Sequence, residues 1–191
     1  MISKVKEYLV LFGISGGVVG LDQWTKWLVR ENLTFGSQWL PDWLEWLSPY
    51  ARVVYWHNSG AAFGMFQSGS IVFTVLAFLV IAAIIYYYPQ VEPEDWAVRV
   101  AMGLQMGGAA GNLTDRLLVG KVTDFISVGA FPVFNLADAS ITVGVIILLA
   151  GVWIKERQEK SRRPDGMTSR DEGSDDKAKL EEAGINPARE S

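Results

Sequence analysis

The 191-residue chain contains no cysteine and a single histidine, His57. Without thiols there can be no disulfide, no thiolate metal site and no cysteine nucleophile. Without a second histidine, a metal site lacks its ordinary ligands, so neither metal nor cofactor is expected. The lack of cysteine says nothing about redox compartment, since a thiol-free chain suits either side of a membrane. No basic patch is interleaved with aromatics, which removes nucleic acid as a partner. Charge is also missing over one long stretch. Ile71–Tyr88 (IVFTVLAFLVIAAIIYYY) runs for 18 residues without a charged side chain. Such a run reads as a transmembrane helix, because about 20 residues rising 1.5 Å each cross a hydrocarbon core of roughly 30 Å.

What is present agrees with that. Half of the residues are hydrophobic, and they are gathered into four blocks rather than scattered. The net charge of −4 carries little information, because much of the charge lies in the C-terminal segment. The pattern predicts a mainly α, polytopic membrane protein. Four transmembrane helices are expected, at about 8–29, 69–88, 96–118 and 134–154. A small outward-facing β platform over 31–67 completes a membrane-embedded domain of residues 1–157, and 158–191 is expected to be a disordered, charged cytoplasmic tail.

The basic start with Lys4 and Lys6 resembles a signal-peptide n-region. The apolar pattern continues past Gly20 through Trp24, Trp27 and Val29 without a clear cleavage site, so it reads as an uncleaved first span. Asp22 and Lys26 sit at i, i+4 on one face of that span and can pair. The stretch Trp39–Leu47 is Trp-rich and amphipathic, the composition of a helix lying in the membrane interface. Arg52–Trp56 reads as a strand running into a tight loop, His57–Gly64. In the third span Gly103, Gly107 and Gly111 repeat every fourth residue, which allows close approach of helix backbones and makes this helix the centre of the bundle. Gly120–Pro132 reads as a loop containing Asp124. Lys4 and Lys6 at one end, with Lys155, Arg157, Lys160, Arg162 and Arg163 at the other, place both termini in the cytoplasm by the positive-inside rule. The 31–67 platform and the 119–134 connection then both face outward, near the outer leaflet.

Polar groups collect at that side. Asn112, Asp115 and Arg116 end the third span, Asp124 follows, and Asn135 and Asp138 begin the fourth. Polar groups at membrane depth are expensive and mark function. Two carboxylates brought close cannot both ionise easily. One can then activate water while the other, protonated, polarises a carbonyl. Asp124 and Asp138 are the candidates, against the simpler reading that each caps a helix or loop. Asp115 and Arg116 read either as a structural ion pair or as a support and a substrate clamp, and Asp22 with Lys26 reads as structural. Asn112 and Asn135 either bond to the dyad and an extended peptide or are satisfied core amides.

Five motifs then occur in order: Asp22-x-x-x-Lys26; Asn58-x-Gly60-Ala61-Ala62-Phe63-Gly64; Gly111-Asn112-x-x-Asp115-Arg116; Val122-x-Asp124-Phe125; and Phe134-Asn135-x-Ala137-Asp138. Over roughly residues 8–156 the chain resembles the lipoprotein signal peptidase family (signal peptidase II), intramembrane aspartic peptidases of the bacterial inner membrane. The resemblance implies cleavage of prolipoproteins just before a diacylglyceryl-modified cysteine. It implies Asp124 and Asp138 as the catalytic pair, and Asn58, Gly60, Asn112, Arg116 and Asn135 around the substrate. Asp22, Lys26 and Asp115 would be supports, and cyclic peptides of the globomycin type inhibitors. Membrane lipids are further expected partners, and the protein is expected to act as a monomer. The competing reading is a small transporter or channel subunit using intramembrane carboxylates. It expects charges near the midplane and repeats, and the sequence shows neither. A membrane-embedded assembly factor that binds lipid headgroups is a third.

Overall fold

The computed structural model describes residues 2–58 and 69–162. The chain divides into two compact units, Met1–Gly151 and Val152–Ser191. In order, the elements are helix α1 (Ile2–Asn32), strand β1 (Gln38–Trp39), a 3-10 helix (Asp42–Leu47), strand β2 (Ala51–Asn58), helix α2 (Gly69–Tyr87), helix α3 (Trp96–Leu118), strand β3 (Val122–Val128) and helix α4 (Leu136–Arg162). The last turns of α4 belong to the second unit. There, Lys160 pairs with Glu156 at 2.6 Å and Arg157 lies 4.4 Å over the Trp153 ring. Residues 158–162 thus continue the helix, and the rest of the expected tail lies outside the described residues, as does most of the expected His57–Gly64 loop, Gly60 included.

Among the described residues two helices, Ser70–Gln90 and Leu136–Gln158, are long and apolar enough to cross a membrane. The 31 residues of α1 and 23 of α3 are long enough too, but both carry charge. Asp22 and Lys26 on α1 and Arg99 and Asp115 on α3 are nonetheless buried. On α1 the buried side chains include Ser15, Asp22 and Lys26, whereas Leu9, Phe12, Leu21, Trp24 and Trp27 are half or more exposed. Polar side chains inside and apolar ones outside invert the pattern of a water-soluble helix.

Close backbone approach fixes α3 between its neighbours. A Cβ on Gly107 would sit 2.7 Å from Val18 Cβ of α1 and 3.0 Å from the Ser15 carbonyl oxygen. A Cβ on Gly108 would run into the Ala137 carbonyl oxygen of α4 and lie 2.7 Å from Ile141 Cγ1. A backbone oxygen cannot rotate away as a side chain can. Gly108→Ala is therefore expected to cost about 1–3 kcal/mol, measured as a lower Tm in detergent; an unchanged Tm would mean that the α3–α4 contact is loose.

Two expectations need correction. The 120–132 stretch is not a loop: Val122–Val128 forms β3, antiparallel to β2 in a three-stranded sheet of order β1-β2-β3. Its partner lies about seventy residues earlier in sequence, so no local pattern announces the pairing, although the alternation of β-branched residues is there. The Trp-rich segment is also not one amphipathic helix. Trp39 pairs with Val53 in the sheet, Pro41 is extended (φ −59°, ψ 142°), and only the six residues Asp42–Leu47 wind, with 3-10 bonds such as Leu44 N–H to Pro41 O at 2.8 Å. The proline disfavours helical backbone at Leu40 before it, so a helix does not run through from Trp39. Trp43 and Trp46 remain exposed, at 75% and 70%.

Candidate active site

The strand correction matters because it positions Asp124. In the β2–β3 ladder Trp56 faces Asp124 and Asn58 faces Val122. Asn58 is therefore a diagonal neighbour of Asp124 on the same face, within reach of a side chain. After β3 the chain turns at Gly129 (φ 52°) and Phe134 bridges back to Ile126, accepting from Phe125 N–H and Ile126 N–H at 3.0 and 2.8 Å. That bridge brings Asn135, and with it the first turn of α4, beside the strand.

Asn135 is the N-cap of α4. Its Oδ1 accepts from Asp138 N–H at 3.1 Å, and Asp138 Oδ2 accepts from Asn135 N–H at 3.2 Å. This is a reciprocal capping box, with Asp138 at the third helical position. The simpler reading of Asp138 is thus satisfied by one oxygen only. The other, Oδ1, accepts from Asn112 Nδ2 at 2.8 Å. Asn135 Nδ2 donates to Asp124 Oδ1 at 2.7 Å and to Asn112 Oδ1 at 3.0 Å. Two carboxyl groups from different elements are in this way joined through two amides. Lysine has donors only, so its 3.0 Å contact with Asn112 Oδ1 fixes which way that amide points.

Beneath the amides lies an ion cluster. Lys26 Nζ reaches Asp22 at 2.8 Å, Asp115 at 3.2 Å and Asn112, so its three donors are used, and both aspartates and the lysine are fully buried. Asp22 Oδ1 accepts from Ala137 N–H at 3.0 Å, in the first turn of α4. Asp115 Oδ2 accepts from Thr123 N–H at 2.9 Å, one residue before Asp124. Each supporting aspartate therefore holds the residue that precedes a site aspartate. Arg30 approaches Asp115 at 3.4 Å and Thr123 Oγ1 at 3.1 Å, and Gln23 bonds to Asp22, Asp115 and Gly111 O. Arg30, Gln23 and Thr123 were missed in the sequence. Arg30 extends the 22, 26 spacing by one more turn, so its signal was present.

Of the two readings of Asp115 and Arg116, the structural ion pair between them does not form. Adjacent helical residues face different ways, and Asp115 turns to α1 while Arg116 turns to α2, its guanidinium 5.4 Å from the Phe73 ring. Arg116 lines a cavity of about 760 Å³ together with Asn58, Asn112, Asp124, Asp138 and apolar residues of α2 and α4. That is within the size of small-ligand sites, about 300–1,000 Å³. Asp124 is 1% exposed. Burial first, then the charge of Asp138, push its carboxyl up to about 6, against Asn58, Asn135 and Lys26, which favour the ionised form. His57, also at the cavity, is held below its usual value by burial and by Lys121 and Arg30. Among the described residues no group of acids and histidines is disposed to hold a metal ion.

Helices with buried charge, two strongly apolar helices and a largely apolar cavity carrying two carboxyl groups define a membrane-embedded protein with an enzyme-like site. Two solved structures, each described as a bacterial membrane enzyme studied by the in meso method, share this fold. One superposes with a TM-score of 0.68 and 26% identity, over 83% of this chain and 94% of the other. The second gives 0.66 and 29%, over 74% and 91%. Residues 14–154 match the sequence family described as signal peptidase (SPase) II. The lipoprotein signal peptidase of Symbiobacterium thermophilum is 41% identical over 144 residues, 73% of this chain and 91% of that protein. That of Geobacillus kaustophilus is 36% identical over 156 residues, 80% and 98% of the two chains. The chain belongs to the signal peptidase II family and is a membrane-embedded peptidase of lipoprotein signal-peptide processing.

Proposed function

We propose that the protein is an aspartic endopeptidase that cuts prolipoproteins before their diacylglyceryl-modified cysteine, with Asp124 and Asp138 as the catalytic pair. The observation that carries the reading is the pair itself: two carboxyl groups linked through Asn135 and Asn112 at one cavity. Asp138 accepts an N–H at each oxygen, the arrangement of a carboxylate, and acts as base. Asp124, the group whose carboxyl is raised to about 6, carries the proton.

As water attacks the scissile carbonyl carbon, Asp138 takes its proton and Asp124 gives its own to the carbonyl oxygen. On collapse of the gem-diol, a hydroxyl proton returns to Asp124. Asp138 then protonates the leaving amine as the C–N bond breaks, and the resting pair is restored. Arg116 and Asn58 hold substrate carbonyls at the cavity wall. In this reading α1 to α4 all cross the bacterial inner membrane, with both termini cytoplasmic and the cavity near the outer leaflet. The exposed Trp39, Trp43 and Trp46 then rest in the interface.

The test is cleavage of a purified diacylglyceryl precursor, with the cut located by mass spectrometry, against the unlipidated precursor and across pH. Lipidated precursor should be cut before the modified cysteine and unlipidated precursor far more slowly. Equal rates would sink the lipid specificity. The active form needs Asp124 protonated and Asp138 ionised, so kcat/KM should be bell-shaped, with a basic limb that falls about tenfold per unit above about pH 6. The kcat limb should lie higher, because substrate excludes water and disfavours the charge further. A profile flat from about pH 5 to 8 would contradict this assignment of the proton.

A further inference from the structure

Among the described residues, four buried side-chain atoms lack a hydrogen-bond partner: His57 Nδ1, Arg116 Nε, Asp124 Oδ2 and Gln105 Nε2. All four belong to residues that line the cavity. Asp124 belongs to the proposed pair, Arg116 lies one turn from Asn112, which holds Asp138, and His57 is on β2 beside Asn58. Gln105 stands apart. It shares one stripe of α3 with Ala109, Asn112 and Arg116, seven residues before Asn112 and so about 10 Å further along the helix. The walls there are apolar, including Leu76, Val80 and Ile141. Its stem is also held in place: a Cβ on Gly144 of α4 would sit 2.9 Å from Gln105 Cγ, so the side chain lies across that glycine.

A fixed carboxamide with an unpartnered N–H in an apolar wall is costly unless an acceptor meets it. We propose that Gln105 is a substrate-binding residue that hydrogen-bonds to a peptide group of the unwound signal segment, on the amino-terminal side of the scissile bond. This rests on the peptidase reading above. To be cut, the segment must be extended, and its freed backbone C=O and N–H groups need partners at membrane depth. About 10 Å is three residues of extended chain at roughly 3.3 Å each, which places the contact near the third residue before the cut. A carboxamide has a donor and an acceptor and so matches a peptide group, whereas the esters of a diacylglyceryl group offer acceptors only.

The test compares wild type with Gln105→Met, an unbranched apolar replacement, on synthetic diacylglyceryl precursors. In these, single backbone amides two to four residues before the cut are replaced by esters. On the all-amide substrate the variant should show KM raised about tenfold with kcat little changed, the pattern of a uniform binding contact. Its Tm should hold or rise, because an unpartnered polar group is gone. One ester position should cost wild type about tenfold and the variant less than about twofold. Equal ester penalties in both enzymes, an unchanged KM or a lowered Tm would each overturn the proposal. So would a defect that disappears on a diether-glyceryl substrate, since the carboxamide would then be reading the lipid esters. Wild type that cut no precursor would overturn the peptidase reading itself, and this contact with it.

Discussion

Asp124→Asn is expected to lower kcat by about 10²–10⁴-fold, the range for loss of a general acid–base group, while Tm in detergent holds or rises by up to about 4 °C. The geometry separates the two readouts. Asp124 Oδ1 accepts from Asn135, Asn58 also hydrogen-bonds to the carboxyl group, and Oδ2 is buried without a partner. An asparagine can keep the accepted bond and turn its NH2 toward the unpartnered side. It also removes a buried carboxylate whose ionisation is disfavoured by burial and by Asp138. Nothing structural is lost, so the loss of turnover reports chemistry.

Asp138→Asn makes an informative contrast. Both oxygens of Asp138 accept N–H groups, from Asn112 and from Asn135. An amide has one acceptor, so one of these donors loses its partner at a cost of about 1–3 kcal/mol. That variant should be equally inactive and measurably less stable. Single-turnover cleavage and thermal unfolding followed by tryptophan fluorescence would measure both. An Asp124→Asn variant keeping more than about a tenth of wild-type kcat would remove Asp124 from the reaction.

The difference between the two aspartates shows what could be read from the sequence. Contacts made within one helix were legible: Asp22 and Lys26 lie four apart on α1, and Asn135 and Asp138 three apart at the start of α4, and both pairs meet. Contacts between elements were not. Asp115 follows Arg30 by 85 residues and turns to it rather than to the adjacent Arg116. Asp124 sits on a strand whose partner, β2, is far upstream, so its sequence neighbourhood read as a loop. The glycine stripe identified α3 as central because close packing leaves a signature on one helix alone. Gln105 lay between two of those glycines in sequence but on another face of the helix, and gave no signal of its own. Its significance depends on Gly144 and on apolar walls contributed by α2 and α4.

Lys26→Met should lose nearly all activity although the lysine makes its ion pairs with neither carboxyl group of the proposed pair. Its charge stands against Asp22 and Asp115 with no solvent access. Such clusters are not kept for raw stability, since burial of the charges roughly cancels their attraction, but breaking one leaves a buried charge at a cost of about 3–5 kcal/mol. With Arg30 the cluster is formally neutral, two acids against two bases, and the methionine variant leaves it one charge negative.

The double variant Lys26→Met/Asp22→Asn restores neutrality, and the amide oxygen introduced at position 22 can still accept from Ala137 N–H. It should recover most of the lost Tm. It should not recover activity, because Asn112 Oδ1 still lacks the ammonium that orients it, and Asn112 Nδ2 is the donor that holds Asp138. Stability and turnover would thereby part company along one hydrogen-bonded path, from lysine to amide to carboxylate. If the double variant regained activity together with Tm, the cluster would serve only to hold the helices together, and the asparagines would orient the proposed pair without it.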